Sequence, residues 1–168
     1  EIADFLYLRV EWPWALNGAE TFAHGWTPEK KFQRYRWNRN YSEAIILYAL
    51  ALGSPTHAVN PKGYQQWTAT FETTKLYDIE WLHAGPLFIH QMAHLWLDFR
   101  GIQDQFNKKA GFDYFENSKR ATYIQRQYAV ENPKHFADYG EYCWGLTASN
   151  GPGPSRRTIN GIKRVFYN

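Results

Sequence analysis

A mainly helical chain with a few short strands and long loops is predicted by three stretches that read as helices, 41–52, 87–99 and 114–130. In the first, Ile45, Ile46, Leu47, Leu50 and Leu52 are joined by Ala44, Ala49 and Ala51. It is apolar nearly all round, the pattern of a helix buried on most sides. Asn40 stands as its N-cap with Glu43 three residues on, and Gly53 and Pro55 stop it. A short amphipathic helix starts at Asn60-Pro61, with proline at the first helical position, and runs through Tyr64 and Trp67 toward Phe71. Residues 73–83 are β-branched and aromatic without clean alternation, which allows a small hairpin or an extended loop. Gly85-Pro86 opens the strongly apolar helix from Leu87 to Phe99, and Arg100-Gly101 closes it. From Tyr114 to Val130 a longer helix carries Ala121, Ile124, Tyr128 and Ala129 near one face, and Pro133 is expected to begin another short helix. The run Ser149-Asn150-Gly151-Pro152-Gly153-Pro154-Ser155 cannot continue a helix and reads as a surface or cleft-rim loop.

With 168 residues, 44% of them hydrophobic and 21% charged, the chain is sized and composed for one globular domain. Its departure from average lies in the aromatics. Eight Trp, twelve Tyr and eleven Phe make up 18% of the residues, more than packing alone recruits, and binders of carbohydrate and of nucleic acid both expose rings. The net charge of +3 is mild and its basic residues are dispersed, so no footprint for a polyanion stands out. The exception is Lys30-Lys31 with Arg34, Arg36 and Arg39, interleaved with Phe32, Tyr35 and Trp37, a mixture able to stack on single-stranded bases. No nucleic-acid partner is expected. A lone Cys143 excludes an internal disulfide and a cysteine-rich zinc site. No run approaches the eighteen or so apolar residues of a membrane span, so no membrane insertion is expected. The opening Glu1-Ile2-Ala3-Asp4 lacks a basic-then-apolar leader and reads as the interior of something longer. There is no Gly-x-Ser-x-Gly elbow, phosphate loop or dinucleotide fingerprint, so neither serine chemistry nor a cofactor is indicated.

Two glutamates occupy nearly matching tripeptides, Tyr41-Ser42-Glu43 and Tyr139-Gly140-Glu141. Cleavage of a glycosidic bond commonly uses two carboxyl groups, one protonating the departing oxygen and one activating water or attacking the sugar, in a cleft whose aromatic rings hold the sugar faces. Glu43 also has a structural explanation, because Asn-x-x-Glu at a helix start lets the glutamate reach back to the cap. Glu141 lies between two glycines and beside two aromatics, a loop that presents side chains or merely a solvated carboxylate, with Asp138 competing for its role. His90 and His94 have the i, i+4 spacing of a zinc pair, but Gln91 stands where a zincin has glutamate, so no metal is expected. Hydrogen bonds to sugar hydroxyls or a polar core explain them better. Trp37, His57, Gln91, Arg100, Asn117, Arg120 and Trp144 complete a polar and aromatic set drawn from distant segments.

Six blocks in order, Tyr41-Ser42-Glu43-Ala44-Ile45-Ile46-Leu47-Tyr48, Leu52-Gly53-Ser54-Pro55-Thr56-His57, Gly85-Pro86-Leu87-Phe88-Ile89-His90-Gln91, Asp98-Phe99-Arg100-Gly101, Tyr114-Phe115-Glu116-Asn117-Ser118-Lys119-Arg120-Ala121-Thr122 and Trp144-Gly145-Leu146-Thr147-Ala148-Ser149, resemble the bacterial glycoamylase-like domain. The likeness spans roughly residues 37–152. It implies an (α/α)6-barrel scaffold and a cleft active on β-1,2-glucan, as in the family's endoglucanases and the processing domain of cyclic β-1,2-glucan synthases. Glu43 then resembles the general acid or acid/base, and Glu141 the second carboxylate of retaining members. Trp37, His90, Gln91, Arg120 and Trp144 line sugar subsites in this reading. A polymeric glucan substrate implies a periplasmic or extracellular location. Asn150 departs from the expected Thr-Ala-Ser-Asp-Gly-Pro and removes a rim carboxylate. Twelve helices of about eleven residues with eleven connections of about five need roughly 190 residues, so the whole chain, 1–168, is expected to be a single glycoamylase-like domain forming the C-terminal part of a larger (α/α)6 barrel, with N-terminal helices missing. A non-catalytic carbohydrate-binding segment of an incomplete barrel is the alternative.

Overall fold

A computed structural model describes residues 1–148, 155–159 and 161–166. Among them the chain is mainly helical, and its strands form three separate two-stranded hairpins, so packing of helices and aromatic rings makes the core. Two helices for which the sequence gives no clear signal, α1 (Ile2–Tyr7) and α2 (Trp12–Leu16), precede a minimal hairpin of β1 (Trp26–Thr27) and β2 (Lys31–Phe32). Polar contacts dock this region: Tyr7 donates to the Leu50 carbonyl at 2.6 Å and Thr56 to that of Leu8 at 2.7 Å. Arg36, from the basic stretch, is spent on the Leu16 and Thr21 carbonyls.

Helix α3 (Ile45–Leu52) starts four residues later than the sequence suggests. Asn40 is not its cap: the residue is left-handed at φ 55, and its N–H donates to Thr70 Oγ1 at 3.1 Å. Ile45, Tyr48 and Ala51 are buried while Leu50 is 37% exposed, so the helix buries one face rather than all of them. Next, α4 (Lys62–Thr68) packs through Gly63, where a Cβ would stand 1.9 Å from the Glu20 carbonyl oxygen. Trp67 from the same helix is fully buried, stacks on Tyr48 with centroids 4.8 Å apart, and donates its indole N–H to the Asn40 carbonyl. The hairpin alternative is realised by β3 (Thr73–Leu76) and β4 (Ile79–Leu82), with Tyr77 and Asp78 both at positive φ, as a two-residue type I′ turn requires.

The apolar helix after Pro86 is shorter than expected. α5 (Leu87–Gln91) gives way to a 3₁₀ turn at Met92–Leu95, whose tighter bonds satisfy carbonyls at the helix end. A short helix outside the sequence reading follows, α6 (Gln105–Ala110), capped by Asp104 and ended by left-handed Gly111. α7 (Tyr114–Glu131) matches expectation closely, capped by Asp113 and closed by Asn132 in the left-handed conformation. Pro133 starts no helix: the Asn132 side chain bonds both backbone groups of Phe136 and makes a turn instead. The third hairpin, β5 (Ser155–Ile159) with β6 (Ile162–Phe166), is tied back by Arg164 to the carbonyls of Lys134 and His135. Most of the expected rim loop, 149–154 with Asn150, lies outside the described residues. No helix among them is long and apolar enough to cross a membrane.

Candidate active site

The segment before α3 is organised by aromatic stacking. Tyr41, 4% exposed, lies parallel to Tyr114 with ring centroids 5.5 Å apart and meets His90 at 5.3 Å. Burial pushes its hydroxyl well above the usual tyrosine range. Behind Tyr114 stands Asp104, which accepts from the hydroxyls of Tyr114 at 2.8 Å and Tyr64 at 2.5 Å and caps α6 through the Asn107 N–H. Burial first, and the Asp104 charge among the smaller causes, raise both hydroxyls, so the tyrosines stay donors. Two residues beyond Tyr41, Glu43 is half-buried in the turn that leads into α3. Its carboxylate does not reach back to Asn40, and no hydrogen bond or ion pair holds it among the described residues. The capping explanation of Glu43 therefore fails, and the acid remains available.

Beside this segment lies a groove of about 730 Å³, in the size range of ligand sites. Its walls are Asn40 and Tyr41 on one side, Glu72, Thr73 and Lys75 at the start of the β3–β4 hairpin, and Trp81 to Gly85 at its end. Glu72, Lys75 and His83 are exposed and offer charged and hydrogen-bonding groups along it. Lys75 and His83 carry no clear sequence signal because 73–83 allows either a hairpin or a loop, and Glu72 stands just before that stretch. The type I′ turn at Tyr77-Asp78, had it been identified, would have fixed which side chains flank it.

His90 is a correction. It has no exposed surface on which to meet a sugar. One ring nitrogen, Nε2, lies 3.0 Å from the Ala84 carbonyl, which can only accept, so Nε2 carries the proton and Nδ1 accepts from the Asn117 amide at 3.3 Å. Desolvation lowers its pKa to about 4, so the ring is neutral. Asn117 in turn pairs with both backbone groups of Leu82, locking β4 to α7. Both ring nitrogens of His90 are already bonded, so it has none left for a metal shared with His94; the 3₁₀ turn sets His94 against Phe99 and Phe115, and burial lowers its pKa as well. Among the described residues no cluster could hold a metal ion.

The other expected subsite residues scatter. Trp37 is half-buried, meets the tilted ring of His24 at 4.1 Å, and its carbonyl accepts from Tyr48. Gln91 is exposed and bonds Thr122. Arg120 is engaged by Glu116 at 3.1 Å and the Glu80 carbonyl at 2.9 Å, and covers Phe112. Trp144, 38% exposed, sits on the loop that Gln125 and Leu87 anchor through Leu146. None of these lines the groove, and neither does Glu43, which adjoins it through Asn40 and Tyr41. Glu141, exposed on the same loop, pairs with Arg126 at 2.9 Å, and the neighbouring Cys143 is exposed too. Tyr114, which holds the Glu43 segment, and Arg126, which holds Glu141, are about 18 Å apart along α7. The structure thus joins Glu141 to α7 and not to Glu43.

The family described as "Glycoamylase: Putative glucoamylase" matches residues 34–167. The chain is 27% identical, over 88% of its length, to the exo β-1,2-glucooligosaccharide sophorohydrolase (non-reducing end) of Parabacteroides distasonis, of which it covers 23%. It superposes on the endo-β-1,2-glucanase of Chitinophaga pinensis, solved with sophorotriose and glucose, with a TM-score of 0.76 at 31% identity, covering 89% of this chain and 37% of that one. A β-1,2-glucanase from Parabacteroides distasonis gives a TM-score of 0.73 at 25% identity, covering 88% of this chain and 24% of that one. The chain therefore spans well under half the length of these proteins. With its ordered blocks, its helical architecture and a match over residues 34–167, the chain belongs to the glycoamylase family.

Proposed function

We propose that this chain is a segment of a glycoside hydrolase that cleaves β-1,2-glucan, with Glu43 protonating the glycosidic oxygen. The observation that carries the reading is the Glu43 carboxylate, half-buried in a turn braced by Tyr41 and engaged by no partner among the described residues. A proton donor needs that combination of partial desolvation and freedom. The Asn40–Gly85 groove, next to the Glu43 turn though not lined by Glu43 itself, holds the glucan, its hydroxyls meeting Glu72, Lys75 and His83. With its anchor Arg126 about 18 Å along α7 from Tyr114, Glu141 belongs to the glucan-binding rim in this reading and is not the direct partner of Glu43. The segment forms one part of an (α/α)6 barrel in the whole protein, which meets its polymer outside the cytoplasm. Incubating the chain with linear β-1,2-glucan tests this: short oligosaccharides appear, and Glu43→Gln abolishes their release while Glu141→Gln lowers it. Full activity in Glu43→Gln removes the assignment.

A second reading is favoured by length, since the chain covers 23–38% of the proteins it resembles. In it the segment holds glucan without cleaving it. Retention of the polymer by the unaltered chain with no oligosaccharide released, identical in Glu43→Gln, selects that reading.

A further inference from the structure

The groove and the Glu43 turn share one hidden support. His90 touches three groove-lining residues from behind: the Tyr41 ring at 5.3 Å, the Trp81 ring at 5.2 Å and the Ala84 carbonyl at 3.0 Å. Its remaining nitrogen is fixed by Asn117, one helical turn along α7 from Tyr114, which stacks on Tyr41. Tyr41 is thus supported by His90 and Tyr114, the latter directly from α7 and the former through Asn117 on the same helix. We propose that His90 is a positioning residue, setting the back wall of the groove and the placement of the turn that carries Glu43. The Glu43 part of this inference rests on the function proposed above; the groove part does not. A buried ring with both nitrogens bonded has one orientation, and a turn stacked on it inherits that precision.

The test uses the full chain. His90→Gln, assayed on linear β-1,2-glucan well below its melting temperature, is expected to lose about 100-fold in kcat, the scale of a displacement near 1 Å, with KM changed by less than about threefold. Val59→Ala, a packing change in the same core away from the groove, lowers the melting temperature and leaves kcat alone. His90→Gln behaving like Val59→Ala overturns the proposal. Should neither the chain nor Glu43→Gln cleave glucan, the function fails but His90 is still tested, by ¹⁵N signals of its ring in the unaltered chain. Those signals are expected to show a protonated Nε2 and to move, together with the Tyr41 ring resonances, as a β-1,2-linked gluco-oligosaccharide is added. Oligosaccharide that leaves both sets of signals unmoved overturns the proposal as well.

Discussion

His90 shows how one side chain couples protonation to folding. Its pKa falls from 6.5 to about 4 in the folded state because burial penalises the imidazolium. Between those values the unfolded chain binds the proton and the folded chain does not, so stability rises with pH through this window. The contribution is complete above about pH 6.5 and is lost as pH falls toward 4, a loss of up to about 3 kcal/mol. Urea midpoints at pH 7 and pH 4.5 are expected to differ less in His90→Gln than in the unaltered chain. Asp104 makes the complementary case. Asp104→Ala strips a helix cap and leaves the Tyr64 and Tyr114 hydroxyls without their acceptor, which is expected to cost about 3 kcal/mol in urea denaturation. At this scale the sequence indicated which side chains mattered better than what they do. His90 was visible as a histidine in an apolar helix, but its burial depends on Ala84 and Asn117, which local pattern does not bring together.

Among the elements, α7 was legible because its caps, length and apolar face agree, whereas α3 was misplaced because Asn40 and Glu43 imitate a capping box. The tertiary pairing of Asn40 with Thr70 and Trp67 overrode that local signal. The apolar helix after Pro86 is shortened to α5, where the 3₁₀ turn at Met92–Leu95 takes over. Close packing of α4 gives a sharp prediction. Gly63→Ala drives a methyl into the Glu20 carbonyl, backbone against backbone-borne carbon, and is expected to destabilise the chain by about 3 kcal/mol or prevent folding, read as a fall in melting temperature. The hairpin offers the opposite sign. Asp78 sits at φ 60 in a turn that favours glycine, so Asp78→Gly is expected to stabilise by about 0.5 kcal/mol, net of an exposed contact with Lys75.

For the molecule as a whole, stability comes from buried rings, with Trp67, Tyr48 and Phe22 at the centre, while the ion pairs among the described residues lie at the surface. Raising salt to about 0.5 M is therefore expected to move the melting temperature by no more than about 3 °C in a calorimeter. The family was legible from six ordered blocks, and the mainly helical class from the spacing of apolar residues. The groove was not, since its walls come from three separate segments brought together by the β3–β4 hairpin. One consequence follows from α7 itself, a rod of 18 residues and about 27 Å. Near one end Tyr114 and Asn117 hold Tyr41 and His90 beside the Glu43 turn, and farther along Arg126 and Gln125 hold the loop of Glu141 and Trp144. Any axial slide or roll of this rod must carry both along in step, so the two carboxylates behave as marks on a single rule rather than as independently drifting parts.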